Sequence, residues 1–438
     1  MKQLLLILPL AFSSHAAQPQ LISFQKVQIT DKFWSEGAHF ADFNRDGHGD
    51  VASGPFWYAG PDFSRRHEYR PATATFKRSA NGREETLEGF QGALGTQNAY
   101  SDNFFTWTAD FNSDGWPDIL IVGLPGENAF WFENPKGRAG HWQRHVAFDV
   151  TDNESPEFTD LTGDGKPELV CNSKGFFGYA EPDGSNPGRP WAWHPISPNN
   201  NYHKYTHGLG VGDVNGDGRP DLIEKDGWWE HPASLDGDPV WTHHPVDFAP
   251  PDPGVPVGSA QMFAYDVNGD GLNDVITCLA AHGYGLAWYE QIREDGVVRF
   301  KSHVFMNKEP HENKYGVKFT QPHALALIDI DGDGLKDLVT GKRLWAHGPD
   351  GDPEPNAPAV LYWFRLLRLG DGTVDWVPYL IDDQSGVGTQ VVAGDVNGDG
   401  KPDIVVGNKK GTFVFLQERK SVSRADWEMA QPKPYTAK

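Results

Sequence analysis

Residues 206–230 read THGLGVGDVNGDGRPDLIEKDGWWE. Within this stretch Asp213, Asn215, Asp217 and Asp221 set oxygen-bearing side chains at positions 1, 3, 5 and 9 of a short loop, with Gly218 directly after position 5. Hard cations such as Ca²⁺ take roughly six to eight oxygens, so alternating side chains can wrap the ion while the glycine permits the turn. Glu224 falls at position 12, where a helix-flanked calcium loop carries its last ligand. The rest of the chain excludes that helical version.

The same comb of acids recurs seven times. It reads DFNRDGHGD with Asp42, Asn44, Asp46 and Asp50, then DFNSDGWPD with Asp110, Asn112, Asp114 and Asp118. The third copy, DLTGDGKPE, keeps Asp160 and Asp164 but has Thr162 and Glu168 at positions 3 and 9, which predicts a weak or absent ion there. After the copy at Asp213 come DVNGDGLND with Asp266, Asn268, Asp270 and Asp274, and DIDGDGLKD with Asp329, Asp331, Asp333 and Asp337. The last is DVNGDGKPD with Asp395, Asn397, Asp399 and Asp403. Each comb is followed by a β-branched run such as DILIVG, DVITCL or DIVVGN, so it joins strands. An aromatic third run (FWFENP, GWWEHP, LYWFRL) and a fourth (WQRHVAF, WTHHPV, FKSHVF) follow. Spacings of 50 to 68 residues suit four-stranded antiparallel blades. The expected fold is therefore all-β, a seven-bladed β-propeller with calcium-binding loops. The segment at about 21–30, FQKVQIT included, has the fourth-run pattern with no comb before it and is expected to close the ring as the outer strand of the last blade.

The chain has 438 residues and opens MKQLLLILPLAFSSHAA, which reads as a secretory signal peptide over residues 1–17, leaving 18–438 as one propeller. No later apolar run approaches the roughly 18 residues that span a bilayer, so an exported protein, periplasmic or extracellular and without membrane insertion, is expected. A formal charge of −22 argues against nucleic acid as a partner. Cys171 and Cys278 lie in apolar strand-like runs and are expected to be buried free thiols.

These combs resemble FG-GAP or VCBS repeats, the calcium-loop propeller units also seen in integrin α-subunits. That resemblance implies fold more than function. In a propeller blade the first strand lines the central channel and its comb lies at one mouth. A residue six positions earlier lies about 20 Å away, at the other mouth. His207 and His323 both stand six before their combs, and His282 lies in the intervening blade's loop AAHGYG. Three imidazoles from consecutive blades could share a Zn²⁺ ion, or each could bond a neighbouring loop. The same mouth is expected to gather Lys174, Lys225, Lys342, Arg343, Lys409 and Lys410, with His347 beside them in TGKRLWAHG. Tyr284, Tyr315, Tyr100, Trp107 and Trp57 could supply stacking surfaces or a phenolic acid or base. His145, His194, His244 and His303 recur at one outer-strand position and read as structural, and His48 as a loop residue.

No G-x-S-x-G, P-loop or H-E-x-x-H motif occurs. A polar pocket with zinc, Lys342, Arg343, His347 and Tyr284 suits proton abstraction beside a carbonyl, which is lyase or dehydratase chemistry. The runs THGLGVGDVNGDG, GWWEHP, AAHGYGLAWYEQ and QPHALALIDIDGDGLKDLVTGKRLWAHG are similar to the propeller of the aldos-2-ulose dehydratase family, which acts on glucosone and 1,5-anhydrofructose. The resemblance implies a zinc-containing dehydration site, and the family's separate cupin isomerisation domains have no counterpart in it. A carbohydrate substrate or ligand is expected. Two other readings are a non-catalytic glycan- or protein-binding propeller and a polysaccharide lyase on uronates, whose carboxylate the Lys/Arg rim could neutralise.

Overall fold

The computed structural model describes residues 18–72, 75–80, 83–90, 93–94, 100–250, 258–370 and 372–436. The predicted signal peptide lies outside them. The described residues form a curled, propeller-like all-β fold with one short helix, Arg424–Ala430, near the C-terminal end.

Every comb lies between two antiparallel strands. The strands Ala38–Ala41, Phe105–Ala109, Leu209–Gly212, Gln261–Tyr265, Leu325–Ile328 and Val391–Gly394 each run directly into position 1, as does the end of Gln143–Thr159. All of these but Leu209–Gly212 contribute to the lining of a cavity of about 200 Å³, with His39, Trp107, Glu157, Phe263, Leu327 and Val392 among its walls. The residue at position 9 opens the next strand out: Asp50, Asp118, Glu168, Asp221, Asp274, Asp337 and Asp403 are all buried. A third strand follows each second one, antiparallel to it. The strand Gln20–Thr30 pairs antiparallel with Gly411–Ser421, completing a four-stranded sheet with Asp403–Asn408 and Val391–Gly394.

Apolar burial occurs between neighbouring sheets. Phe43, Trp57, Tyr69, Ile119, Phe132 and Trp142 pack as one cluster, and each such large side chain contributes about 1.5–3 kcal/mol. His145, His194, His244 and His303 stack on Trp131, Tyr179, Trp228 and Trp288 of the adjoining strand. Each also faces a carboxylate, from His303 with Glu290 at 2.6 Å to His194 with Glu181 at 3.6 Å. These are sheet-edge ladders, in keeping with a structural reading. Cys171 and Cys278 are buried free thiols.

The sheets depart from separate four-stranded units in two places. Gln143–Thr159 is one strand of 17 residues that pairs with Glu127–Glu133 and then, beyond a register break, with Glu168–Ser173, fusing two units into a seven-stranded sheet. Leu209 and Gly210 pair in parallel with Gln261 and Met262, fusing two more units into an eight-stranded sheet. Gly210 makes that contact possible, since a Cβ there would lie 1.9 Å from the Met262 carbonyl oxygen. Gly210→Ala is expected to destabilise the fold by about 1–3 kcal/mol, read as a lower melting temperature. An unchanged melting temperature would show that these strands separate freely. Between the first two combs the chain also forms strands at 75–80, 83–90, 93–94 and 100–101, which account for the longest spacing.

Candidate metal centre

His207 and His323 immediately precede innermost strands, and the loop carrying His282 lies between them. The backbone fixes all three. Gln321, held at φ 57°, donates its N–H to the Gly283 carbonyl, while its own carbonyl accepts from His323 and Arg343. Gly258 lets the next segment close over His207, for a Cβ there would sit 2.4 Å from the His207 Cβ. The N–H groups of Asn153 and Glu154 donate to the carbonyls of Lys204 and Thr206, which brings Glu154 against the same site.

The result is a cluster of Glu154, His207, His282 and His323, each offering a ligand atom within 4.8 Å of the others. Nε2 of His207 and Nε2 of His282 are 2.9 Å apart. Glu154 Oε2 lies 3.4 Å from Nε2 of both His207 and His323. His207 Nδ1 donates to the Tyr205 carbonyl at 2.9 Å, and a carbonyl can only accept, so in the neutral ring Nε2 carries the lone pair. The Nδ1 of His282 lies 3.6 Å from Asp352 Oδ1, beyond hydrogen-bond distance. His207 Nε2 can then only accept from His282 Nε2, 2.9 Å away, which leaves His282 Nδ1 without a partner among the described residues. His323 is fully buried, and among the described residues neither of its ring nitrogens has a hydrogen-bond partner. Unpaired buried nitrogens cost about 1–3 kcal/mol each, and a cation between them would remove the penalty. Three imidazoles and a carboxylate form a donor set that suits a borderline divalent ion.

Electrostatics agree with that chemistry. Burial holds His282 well below the usual imidazole range and, with the Arg343 charge, pushes His323 down to about 3. Both are therefore neutral, the form that ligates. Burial raises Glu154, and only proton-bearing His207 and His323 hold the carboxyl well below its ordinary value; with those rings neutral, a bound cation would take over that part.

Around the cluster stands a second layer. His347 stacks on His282 with ring centroids 4.3 Å apart, and its Nδ1 meets Asp352 Oδ1 at 2.8 Å. The fully buried Lys342 donates to Thr320 Oγ1, and burial lowers it to about 8. Arg343, 1% exposed, donates from Nε to Glu36 Oε2 at 3.1 Å and reaches within 3.8 Å of Glu154. Lys409 meets the other oxygen of Glu36, also at 3.1 Å, with the Tyr100 ring 5.3 Å away.

The other candidates lie elsewhere. Tyr284 packs beside the Lys318–Glu354 pair, and burial raises its phenol; among the described residues no contact links it to the imidazoles. Lys174 pairs with Asp149 and Lys225 with Asp226 as ordinary surface ion pairs. Tyr315 donates to Asp375 at 2.7 Å, and Trp57 stacks on His67. Glu154, Glu36 and Asp352 were not singled out from the sequence. The first two stand six residues before Asp160 and Asp42, the register of His207 and His323.

At the opposite mouth the combs wrap their own backbone. Asp329, Asp331 and Asp333 bring carboxylate oxygens within 4.8 Å of one another, as do Asp160, Asp164 and Glu168. The position-1 carboxylates of Asp42, Asp213 and Asp395 accept from amides at positions 5 and 6. The position-9 side chains turn inward instead. Asp118 accepts from the amides of Phe111 and Asn134, and Asp337 from those of Ile330 and Leu366.

Family models for the FG-GAP-like repeat match residues 110–171 and 160–223, and the FG-GAP repeat matches residues 387–415. Among curated proteins nothing matches the sequence. Similar solved structures include an Agrocybe aegerita lectin described as recognising non-reducing terminal N-acetylglucosamine, at 15% identity and a TM-score of 0.43, covering 90% of this chain and 86% of the lectin. Another is the Photorhabdus luminescens Tc holotoxin pore, at 16% identity and a TM-score of 0.37, covering 76% of this chain and 14% of that one.

Proposed function

From the premise that the chain carries FG-GAP repeats, at residues 110–223 and 387–415, we propose that it is an exported, seven-bladed propeller with calcium in its combs and a metal-dependent lyase or dehydratase site at the other mouth. Its substrate is a keto-sugar or an oxidised glycoside. The observation that carries this reading is the convergence of Glu154, His207, His282 and His323, with buried ring nitrogens that lack partners. Zinc, bound there, would supply Lewis-acid polarisation of the substrate's carbonyl.

The protein's own groups account for the proton movements. His347 is the best placed base, because Asp352 holds its Nδ1 and its side chain is 41% exposed. It removes the proton α to the carbonyl. That electron pair forms the new carbon–carbon double bond, and the bond to the β-oxygen breaks. Lys342, held near 8 and so mostly protonated at neutral pH, is the donor for the leaving oxygen. The Arg343 guanidinium offsets the charge that develops on the substrate.

A panel of keto-sugars and oxidised glycosides, followed by ultraviolet absorbance of the new double bond alongside metal analysis, tests the proposal. About one zinc per chain with turnover supports it. His347→Gln is expected to lower kcat by about 10²–10⁴-fold while leaving zinc content unchanged. The depth of the imidazoles, none more than 4% exposed, favours a second reading in which the ion only stiffens a glycan- or protein-binding propeller. Metal without turnover on any member of the panel would select that reading.

A further inference from the structure

Arg343 is held from several sides. Its backbone N–H bonds the Gln321 carbonyl, it forms a parallel bridge with Val387, and its Nε is fixed on Glu36. Its Nη2 is buried and has no hydrogen-bond partner among the described residues. Arginine cannot shed its proton to relieve this, so an acceptor is owed to that nitrogen. Glu36 cannot serve as well, because its second oxygen is engaged by Lys409. Lys409, which holds Glu36, also lines a groove of about 490 Å³ with Leu344, Trp345, Asn356, Asp383, Gln384 and Lys410, beside this corner of the site.

The charges point the same way. Lys342, Arg343 and Lys409 are balanced by Glu36, Glu154 and Asp352. A divalent ion at the imidazoles adds two positive charges to a buried, already neutral site. Uncompensated buried charge is costly, so a loaded centre calls for an anion beside it. A planar carboxylate is the anion that a fixed guanidinium recognises best.

We propose that Arg343, braced by Glu36 and flanked by Lys409, is a carboxylate-binding subsite, and that the sugar taken by this site is a uronic acid or uronate oligosaccharide entering along the Trp345–Lys410 groove. This rests on the metal-site reading above and narrows its substrate class from neutral keto-sugars to sugar acids.

Calorimetric titration of the zinc-loaded full chain with a galacturonate or glucuronate oligosaccharide, against the neutral oligosaccharide of equal length, tests it without requiring turnover. The uronate is expected to bind at least about tenfold more tightly. Arg343→Lys, which keeps the charge and loses the fork, should erase most of that preference with zinc content unchanged. If the single variant fails to fold, Glu36→Gln/Arg343→Gln removes both buried charges together and should lose the preference in the same way. Equal affinity for the two oligosaccharides, or an undiminished preference in a folded variant, overturns the subsite. Zinc binding together with turnover of neutral keto-sugars alone would leave the metal site standing and remove the subsite, whereas absence of bound metal would remove the metal reading. Uronate preference in a chain without zinc would retain the carboxylate site by itself.

Discussion

Glu154→Gln protein is expected to bind zinc at least about 100-fold more weakly than the parent chain and to lose turnover with it. Loss of a residue that merely orients a ligand already costs about 10–100-fold in affinity, and among the described residues Glu154 is the only anion in direct reach of both His207 and His323. Glutamine has nearly the same volume, so the packing around residues 153–155 survives. His207→Ala should have an effect of the same size. It removes one of the three imidazole ligands, the nitrogen 2.9 Å from His282, so metal content falls whether or not the melting temperature moves. That fall separates a metal centre from a buried polar network. If the four side chains only bonded one another, His207→Ala would strand Glu154 and lower the melting temperature, and neither variant would change metal content. Metal analysis and thermal melting of the two purified variants are sufficient to decide.

Glu154 also shows where reading the sequence stopped short. The rule that places His207 and His323 at one mouth is positional: six residues before a comb. Applied to the remaining copies it selects Glu36, Phe104, Glu154, Ala260 and Thr389, and two of these are the acids that complete the site. The periodic signal was present, but attention to imidazoles alone passed over carboxylates in the same register. Asp352 had no comparable signal. It reaches His282 and His347 because the segment after Trp345 folds back, and nothing in DGDPEPN records that return.

The same contrast holds for the fold. Repeated acids and β-branched runs made the strand pairs around each comb legible, since a comb has both a fixed length and a fixed direction. The joined strand Gln143–Thr159 was not legible, because its middle, TDNESP, reads as a turn between two strands, whereas the chain passes through it as a register break with Asn153 at φ 86°. The strands at 75–101 carry no comb and showed only as an unusually long spacing. Register told where Lys174, Lys225, Lys342 and Lys409 fall around the mouth but not how deep. Of the four only Lys342 is fully buried, the Lys409 side chain being 7% exposed, and of the four only Lys409 makes an ion pair with a site carboxylate among the described residues.

Chelating calcium is expected to lower the melting temperature on the order of 10 °C, and to lower it further at pH 8 than at pH 5. An ion at a thousand times its dissociation constant contributes about 4 kcal/mol per site, so a few filled combs produce a shift of that size. The pH dependence follows from the position-9 acids. Burial pushes Asp337 up to about 8, Asp118 and Asp221 to about 7, and Asp50 and Asp274 to about 6, against about 3.9 in an unfolded chain. Between those values the ion-free folded state retains protons that the unfolded state has lost. Its stability is therefore fully present below about pH 4 and declines as pH rises toward 8. Calcium favours the charged form and offsets that decline, so its benefit grows with pH. Melting curves in calcium and in chelator at several pH values give the comparison directly. A calcium effect that shrinks with rising pH, or no effect at any pH, would mean that the amides of Phe111, Asn134, Ile330 and Leu366 are all that these carboxylates serve. The combs would then be hydrogen-bonded turns that brace the sheets, and the first mouth would need no ion to hold the second in place.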